Sequence, residues 1–155
     1  KPRSEGARAR SLARVVRRCQ DLPGHELFQY LDEDGQRQAI DSADVNAYLR
    51  EVCGEEFTAK DFRTWGGTVL AAQALNAPSE ETDARRRLTA AIGEVASRLG
   101  NTPTICRKCY IHPDIVAAHA DGELAEGLGG RESSGLSAEE AAVLRLLERR
   151  ASRRS

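Results

Sequence analysis

Tyr110 stands near the end of the run Gly100-Asn101-Thr102-Pro103-Thr104-Ile105-Cys106-Arg107-Lys108-Cys109-Tyr110-Ile111-His112-Pro113, downstream of a second run, Lys60-Asp61-Phe62-Arg63-Thr64-Trp65. A phenolic hydroxyl ionises near pH ~10 and is a poor nucleophile at neutral pH, so a tyrosine that attacks needs guanidinium and amide donors around its target. These runs supply such donors: guanidinium groups on Arg63 and Arg107, ammonium groups on Lys60 and Lys108, and a neutral amide on Asn101. A planar guanidinium can give two charge-assisted hydrogen bonds to one phosphate, which a compact ammonium cannot match in geometry. The chemistry open to this set is phosphoryl transfer to a tyrosine. It would require an in-line attacker, donors on the non-bridging oxygens and an acid for the departing oxygen.

The two runs resemble the type IB DNA topoisomerases, in particular their bacterial branch, in which Lys-Asp-Phe-Arg-Thr-Trp and Thr-Pro-x-x-(Ser/Cys)-(Arg/Lys)-x-x-Tyr recur. The resemblance extends from about Leu12, through Leu22-Pro23-Gly24-His25-Glu26-Leu27-Phe28-Gln29-Tyr30 and Ser42-Ala43-Asp44-Val45-Asn46, to Leu136-Ser137-Ala138-Glu139-Glu140 and Leu144. The family is longer on its N-terminal side. The resemblance therefore implies that residues 11–155 are a C-terminal part of such a catalytic domain, with residues 1–10 a disordered or truncated lead-in.

The resemblance further implies that Tyr110 is the attacker and leaves a 3′-phosphotyrosyl linkage, which keeps the bond energy and removes any need for ATP or metal. Arg63 matches the arginine of the family's Lys-Asp-Leu/Phe-Arg-Thr motif. Asn101 stands nine residues before the tyrosine, where viral and eukaryotic members carry histidine and bacterial members often carry asparagine. An asparagine after a helix-ending glycine is also ordinary turn chemistry. Lys60, Arg107 and Lys108 are expected on DNA phosphates. The family's acid lysine and a second arginine lie further upstream, and Lys1 does not fit that pattern, so this chain is expected to lack two catalytic positions. The implied partner is double-stranded DNA, with no membrane and no small-molecule substrate. The implied state is a monomer that closes on DNA with an additional N-terminal domain.

Two rivals remain. Tyrosine recombinases share the late tyrosine, but their arginine motif reads more like His-x-Leu-Arg-His than Lys60-Asp61-Phe62-Arg63-Thr64. A non-catalytic helical DNA-binding module would keep the fold without the chemistry, and intact Arg63 and Tyr110 argue against that decay.

Cys106-x-x-Cys109 has the spacing of half a zinc site or of a redox pair. No second pair accompanies it, and Cys19 and Cys53 are isolated, so no metal and no cofactor is expected. Cys106 reads as a small residue near the phosphate, and the four cysteines as reduced thiols. His25, His112 and His119 show no ligand spacing, and His112-Pro113 is placed to shape the end of the tyrosine helix.

A net charge of −1 is unusual for a nucleic-acid binder, but its distribution is uneven. Residues 1–20 carry +6, 21–57 carry −8, 58–110 carry +3, 111–143 carry −6 and 144–155 carry +4. Both motif runs thus fall in a basic block, and arginines outnumber lysines 20 to 3. There is no apolar run of the roughly 18 residues a membrane helix needs and no signal-peptide pattern, which points to a cytoplasmic protein.

The elements that must position these residues are mainly helical, in the manner of the topoisomerase IB and tyrosine recombinase catalytic domains, with at most a short β excursion near 26–40. Leu12, Val15, Val16 and Cys19 have helical spacing, closed by Pro23-Gly24. Residues 26–31 and 36–40 flank an Asp32-Glu33-Asp34-Gly35 turn. Ser42 is expected to cap a helix with Val45, Tyr48, Leu49 and Val52 on its apolar face. Thr58-Ala59-Lys60-Asp61 resembles a capping box opening a helix through Phe62, Trp65, Val69 and Leu70. Gly66-Gly67 weakens that helix by about 1 kcal/mol per residue, so something must approach its backbone there. A helix after Pro78 carries Leu88, Ile92, Val95 and Leu99, with Arg85-Arg86-Arg87 near its middle and Gly100 as its stop. Thr102-Pro103 begins the helix on which Tyr110 rides, and Pro113 limits it. A glycine-rich acidic loop runs from Gly122 to Gly135. Ser137-Ala138-Glu139-Glu140 then caps a last helix with Val143, Leu144 and Leu147 inward.

Overall fold

The computed structural model describes residues 3–21, 26–124, 128 and 135–154. The chain divides into two units, Lys1–Ala59 and Lys60–Ser155. None of its described helices is long and apolar enough to cross a membrane.

In the first unit, α1 spans Arg3–Gln20 and so begins within residues 1–10, where no regular element was expected. Alanine, arginine and glutamate are good helix formers, and their propensity extends the helix past the last apolar position. Strands β1 (Gln29–Leu31) and β2 (Arg37–Ala39) pair antiparallel, Tyr30 opposite Gln38, and form the expected excursion. Their turn is built by Asp32, whose Oδ1 accepts from the N–H groups of Asp34 (3.1 Å) and Gln36 (2.8 Å). The Gln38 amide donates to Oδ2 at 2.8 Å and, with those backbone donors, holds the carboxyl below its ordinary range. Gly35 takes the left-handed conformation that closes the turn (φ 73°).

Helix α2 spans Ser42–Cys53, and its cap is Asp41 rather than Ser42. Asp41 and Asp44 bond each other's N–H groups in a capping box; Ser42 would have apolar Val45 at the matching position, so the cap moves one residue earlier. Its apolar face is not buried: Val45, Tyr48 and Val52 are all exposed, and only Leu49 is half-covered. An amphipathic face is covered only where a partner element meets it.

The second unit holds the core. Helix α3 (Ala59–Asn76) buries Ala71, Ala72 and Leu75 against Ile92 and Val95 of α4 (Ala84–Leu99). Asp83 caps α4 by accepting from the N–H groups of Arg85 and Arg86, which places Arg85-Arg86-Arg87 in the first turn, not the middle. Arg87 there donates to the Leu75 carbonyl at 2.7 Å and closes the end of α3. Gly100 ends α4 in the left-handed conformation (φ 64°).

Thr102 caps α5 (Pro103–Ile105), which widens into a π turn over Cys106–Tyr110. Pro113 does more than limit that helix. It occupies the first position of α6 (Pro113–Ala120), where its missing N–H costs nothing, and His112 is the cap. Helix α7 (Ala138–Ser152) starts at the expected Ser137/Glu140 capping box. It buries Val143 and Leu146, while Leu144 is exposed, because the inward positions repeat at three- and four-residue steps from Ala142 and Val143. The Pro23-Gly24 stop and most of the Gly122 to Gly135 segment lie outside the described residues.

Candidate active site

The site is built on one side of α3. Arg63 projects from its second turn and donates through Nη2 to the Leu99 carbonyl at 2.9 Å. Asn101 donates through Nδ2 to the same carbonyl at 3.1 Å. The left-handed Gly100 makes this convergence possible, turning the chain back so that the Asn101 N–H still reaches the Ala96 carbonyl (2.9 Å). Arg63 and Asn101, 38 residues apart in sequence, thus meet at one oxygen. A guanidinium has five N–H donors, so most of Arg63's capacity is left for another acceptor.

Tyr110 joins this pair through Arg63. The Arg63 Cζ lies 5.1 Å from the centroid of its ring. Arg63 is exposed and Tyr110 half-buried, so the pair faces solvent on one side. The phenol is carried on the π turn, a widened helical turn that is frequent at functional sites.

Two hydroxyls of α3 meet the chain on either side of Tyr110. Thr64 Oγ1 lies 2.9 Å from the Lys60 carbonyl and 3.3 Å from the Cys109 carbonyl. Thr68 Oγ1 donates to the Thr64 carbonyl at 2.7 Å and accepts the His112 N–H at 3.1 Å. Between them, Gly67 lets the tyrosine backbone come close: a Cβ there would stand 2.5 Å from the Tyr110 carbonyl oxygen. This is the close approach expected at the glycine pair, and it belongs to Gly67 alone. A Cβ on Gly66 would meet nothing within 4 Å.

Cys106 corrects the sequence reading. It is fully buried in the core cluster, with no surface to offer a phosphate. Burial pushes its thiol up, against the pull of the Arg63 charge. All four cysteines are free thiols. Among the described residues, no group of three His, Cys, Asp or Glu is placed to hold a metal ion. Lys60, Arg107 and Lys108 are exposed, the first in the opening turn of α3 and the other two on the π turn itself.

Further contacts lock the frame and were not legible in the sequence. The Trp65 indole donates to Glu140 Oε1 at 3.2 Å, joining the arginine motif to the cap of α7. The Ser137 N–H, the Ser137 hydroxyl and this indole hold the Glu140 carboxyl below its ordinary range against the opposing effect of burial. Buried Asp114, just after the tyrosine turn, receives both ends of the Arg154 guanidinium at 2.6 Å. A cleft of about 260 Å³ between Leu75, Arg87, His119 and Leu124 includes none of the site residues. Arg63, Lys60, Arg107 and Lys108 are instead on the open surface.

A family model described as the catalytic core of eukaryotic DNA topoisomerase I matches residues 5–123, a span that includes all six candidate residues and leaves α7 outside. A DNA topoisomerase 1B of Acanthamoeba polyphaga mimivirus is 32% identical over an alignment of 106 residues, and the match covers 62% of this chain and 32% of that protein. The chain thus spans about a third of the length of this relative.

Proposed function

Because the chain belongs to the family of eukaryotic DNA topoisomerase I catalytic cores, we propose that it is part of an enzyme that relaxes supercoiled duplex DNA through a tyrosine-linked nick. The Tyr110 hydroxyl gives up its proton to solvent, its oxygen attacks the scissile phosphorus, and the P–O5′ bond breaks. The 5′-oxygen leaves as a hydroxyl after taking a proton, and the 3′-phosphate stays on the phenol. The duplex rotates about the intact strand. The free 5′-hydroxyl then attacks the phosphorus, loses its proton, and expels the tyrosine oxygen, which takes up a proton to restore the phenol. Neither ATP nor a metal enters this balance.

The observation that supports this reading most is that Arg63 meets both Asn101, at the Leu99 carbonyl, and the Tyr110 ring. Arg63 gives two charge-assisted hydrogen bonds to the non-bridging oxygens, a service worth about 3 to 4 kcal/mol at the transition state when donors are pre-positioned. Asn101 gives one more, without charge. Lys60, Arg107 and Lys108 hold flanking phosphates and position the duplex. The proton for the 5′-oxygen comes from a lysine upstream of the matched motifs, accompanied by a second arginine. The run Lys60–Trp65 and an asparagine at 101 support a reading as a bacterial-type member of the family. The whole enzyme is a monomer that encloses DNA with a further N-terminal domain.

Relaxation of a supercoiled plasmid in chelator, without ATP, tests the reading. Relaxation by this chain, or by a version extended upstream, supports it. Plasmid binding with no relaxation by either version would favour the non-catalytic DNA-binding module, and junction resolution without relaxation the recombinase.

A further inference from the structure

We propose that Thr68 is a positioning residue for the Tyr110 nucleophile, acting through the backbone of the π turn; its catalytic part rests on the function proposed above. Thr68 is 2% exposed and its hydroxyl is used twice. The donation to the Thr64 carbonyl is a local helix contact of a kind threonines commonly make and carries no information by itself. The second bond does. The Thr68 oxygen accepts the N–H of His112, 44 residues away, two residues past the tyrosine where the chain leaves the π turn in an extended conformation.

One helical turn earlier, the Thr64 hydroxyl reaches the Cys109 carbonyl at 3.3 Å, on the other side of Tyr110. Gly67 lies between the two threonines and admits the Tyr110 carbonyl. Positions 64, 67 and 68 are neighbours on one helix face. That face is therefore a template for the tyrosine turn, and Arg63, one residue before it, comes from the same rigid element. The 5.1 Å separation of guanidinium and phenol ring is set by α3 rather than by two independently moving pieces. In-line displacement demands reacting atoms about 3 to 3.5 Å apart, and an error of about 1 Å costs about a hundredfold in rate. A residue that fixes the tyrosine backbone consequently acts on the rate and not on DNA affinity.

The test compares Thr68→Val, which keeps the shape and loses the hydroxyl, with Thr68→Ser, which keeps the hydroxyl. Single-turnover covalent-adduct formation at saturating duplex DNA, DNA affinity and melting temperature are measured on each. Thr68→Val is expected to slow adduct formation by roughly 30- to 100-fold with affinity within about threefold of the parent, and Thr68→Ser to recover most of the rate. A loss below about threefold in Thr68→Val, a serine variant as slow as the valine one, or an equal loss of affinity overturns the proposal. If Thr68→Val does not fold, half-exposed Thr64→Val removes the partner bond, and an unchanged rate there overturns it equally. Hydrogen exchange at the His112 amide, together with the Tyr110 ring signals by NMR, reads the same contact without catalysis. Lost protection and shifted ring signals in the valine variant, restored in the serine one, support the positioning even if the parent forms no adduct, and unchanged signals refute it.

Discussion

The Arg63 guanidinium lies over the Tyr110 ring, its Cζ 5.1 Å from the centroid, inside the roughly 6 Å at which a cation is attracted to an aromatic face. This contact and the bond to Leu99 hold an exposed arginine in place beside the phenol before any DNA arrives. Pre-positioning of that kind contributes rate because the donors need not reorganise as charge develops.

Replacing Arg63 by alanine should therefore slow cleavage by about 10² to 10³, and Arg63→Lys should recover little, since a point charge cannot form the two parallel bonds of the fork. Single-turnover cleavage rates decide this. A loss under about tenfold in Arg63→Ala would make the residue structural.

Asn101 shares the Leu99 carbonyl with Arg63 but carries no charge. Its removal in Asn101→Ala should cost less, about tenfold, and the parent's rate should show no inflection near neutrality from this position. Asn101→His would introduce one: a charged imidazole should raise the rate as pH falls through about 6.5. A pH–rate profile for the histidine variant parallel to the parent's would remove Asn101 from the phosphate.

The adjacent glycines of α3 make opposite predictions. Gly67→Ala puts a Cβ 2.5 Å from the Tyr110 carbonyl, and overpacking of this kind costs about 1 to 3 kcal/mol, lowering the melting temperature and the cleavage rate together. Gly66→Ala meets nothing within 4 Å and should stabilise the helix by up to about 1 kcal/mol. Thermal melts of the two variants check the difference in sign.

Much of this was legible in the chain. Thr102-Pro103 announced the tyrosine helix, Gly100 its predecessor's end, Ser137 and Glu140 the last cap, and the turn at residues 32–35 the hairpin. The widening of the helix at Cys106–Tyr110 was not legible, because a π turn shifts the period by one residue within a segment too short to display a period. Nor was the fate of Cys106, whose small thiol is as suitable for a core as for a site; only burial separates the two. The part played by Thr68 was not legible either, since the amide it accepts lies 44 residues on. The exposed face of α2 shows the converse: a clear apolar period at Val45, Tyr48 and Val52 predicts a face that can be covered, not that it is.

Acid should loosen the frame through Glu140. Its carboxyl is held below the ordinary glutamate range, chiefly by the Ser137 N–H and further by the Trp65 indole and the Ser137 hydroxyl. A depressed folded value means the stabilisation is complete above the unfolded value, about 4.3, and is lost as pH falls through the folded one. The melting temperature of the parent should fall more steeply below that range than that of Glu140→Gln. Parallel curves would show that the Trp65–Glu140 link does not depend on ionisation.

The most direct test of the central claim uses duplex DNA whose scissile strand is labelled on its 5′ side and carries sulfur at the bridging 5′ position. A thiolate leaves without an acid, so the experiment reads the tyrosine and its donors independently of any upstream lysine. Label should remain on the protein after denaturation, for this chain or a version extended upstream, and should be absent in Tyr110→Phe while DNA binding persists. Equal labelling in Tyr110→Phe, or no labelling of either parent form, would contradict the assignment of Tyr110 as the nucleophile.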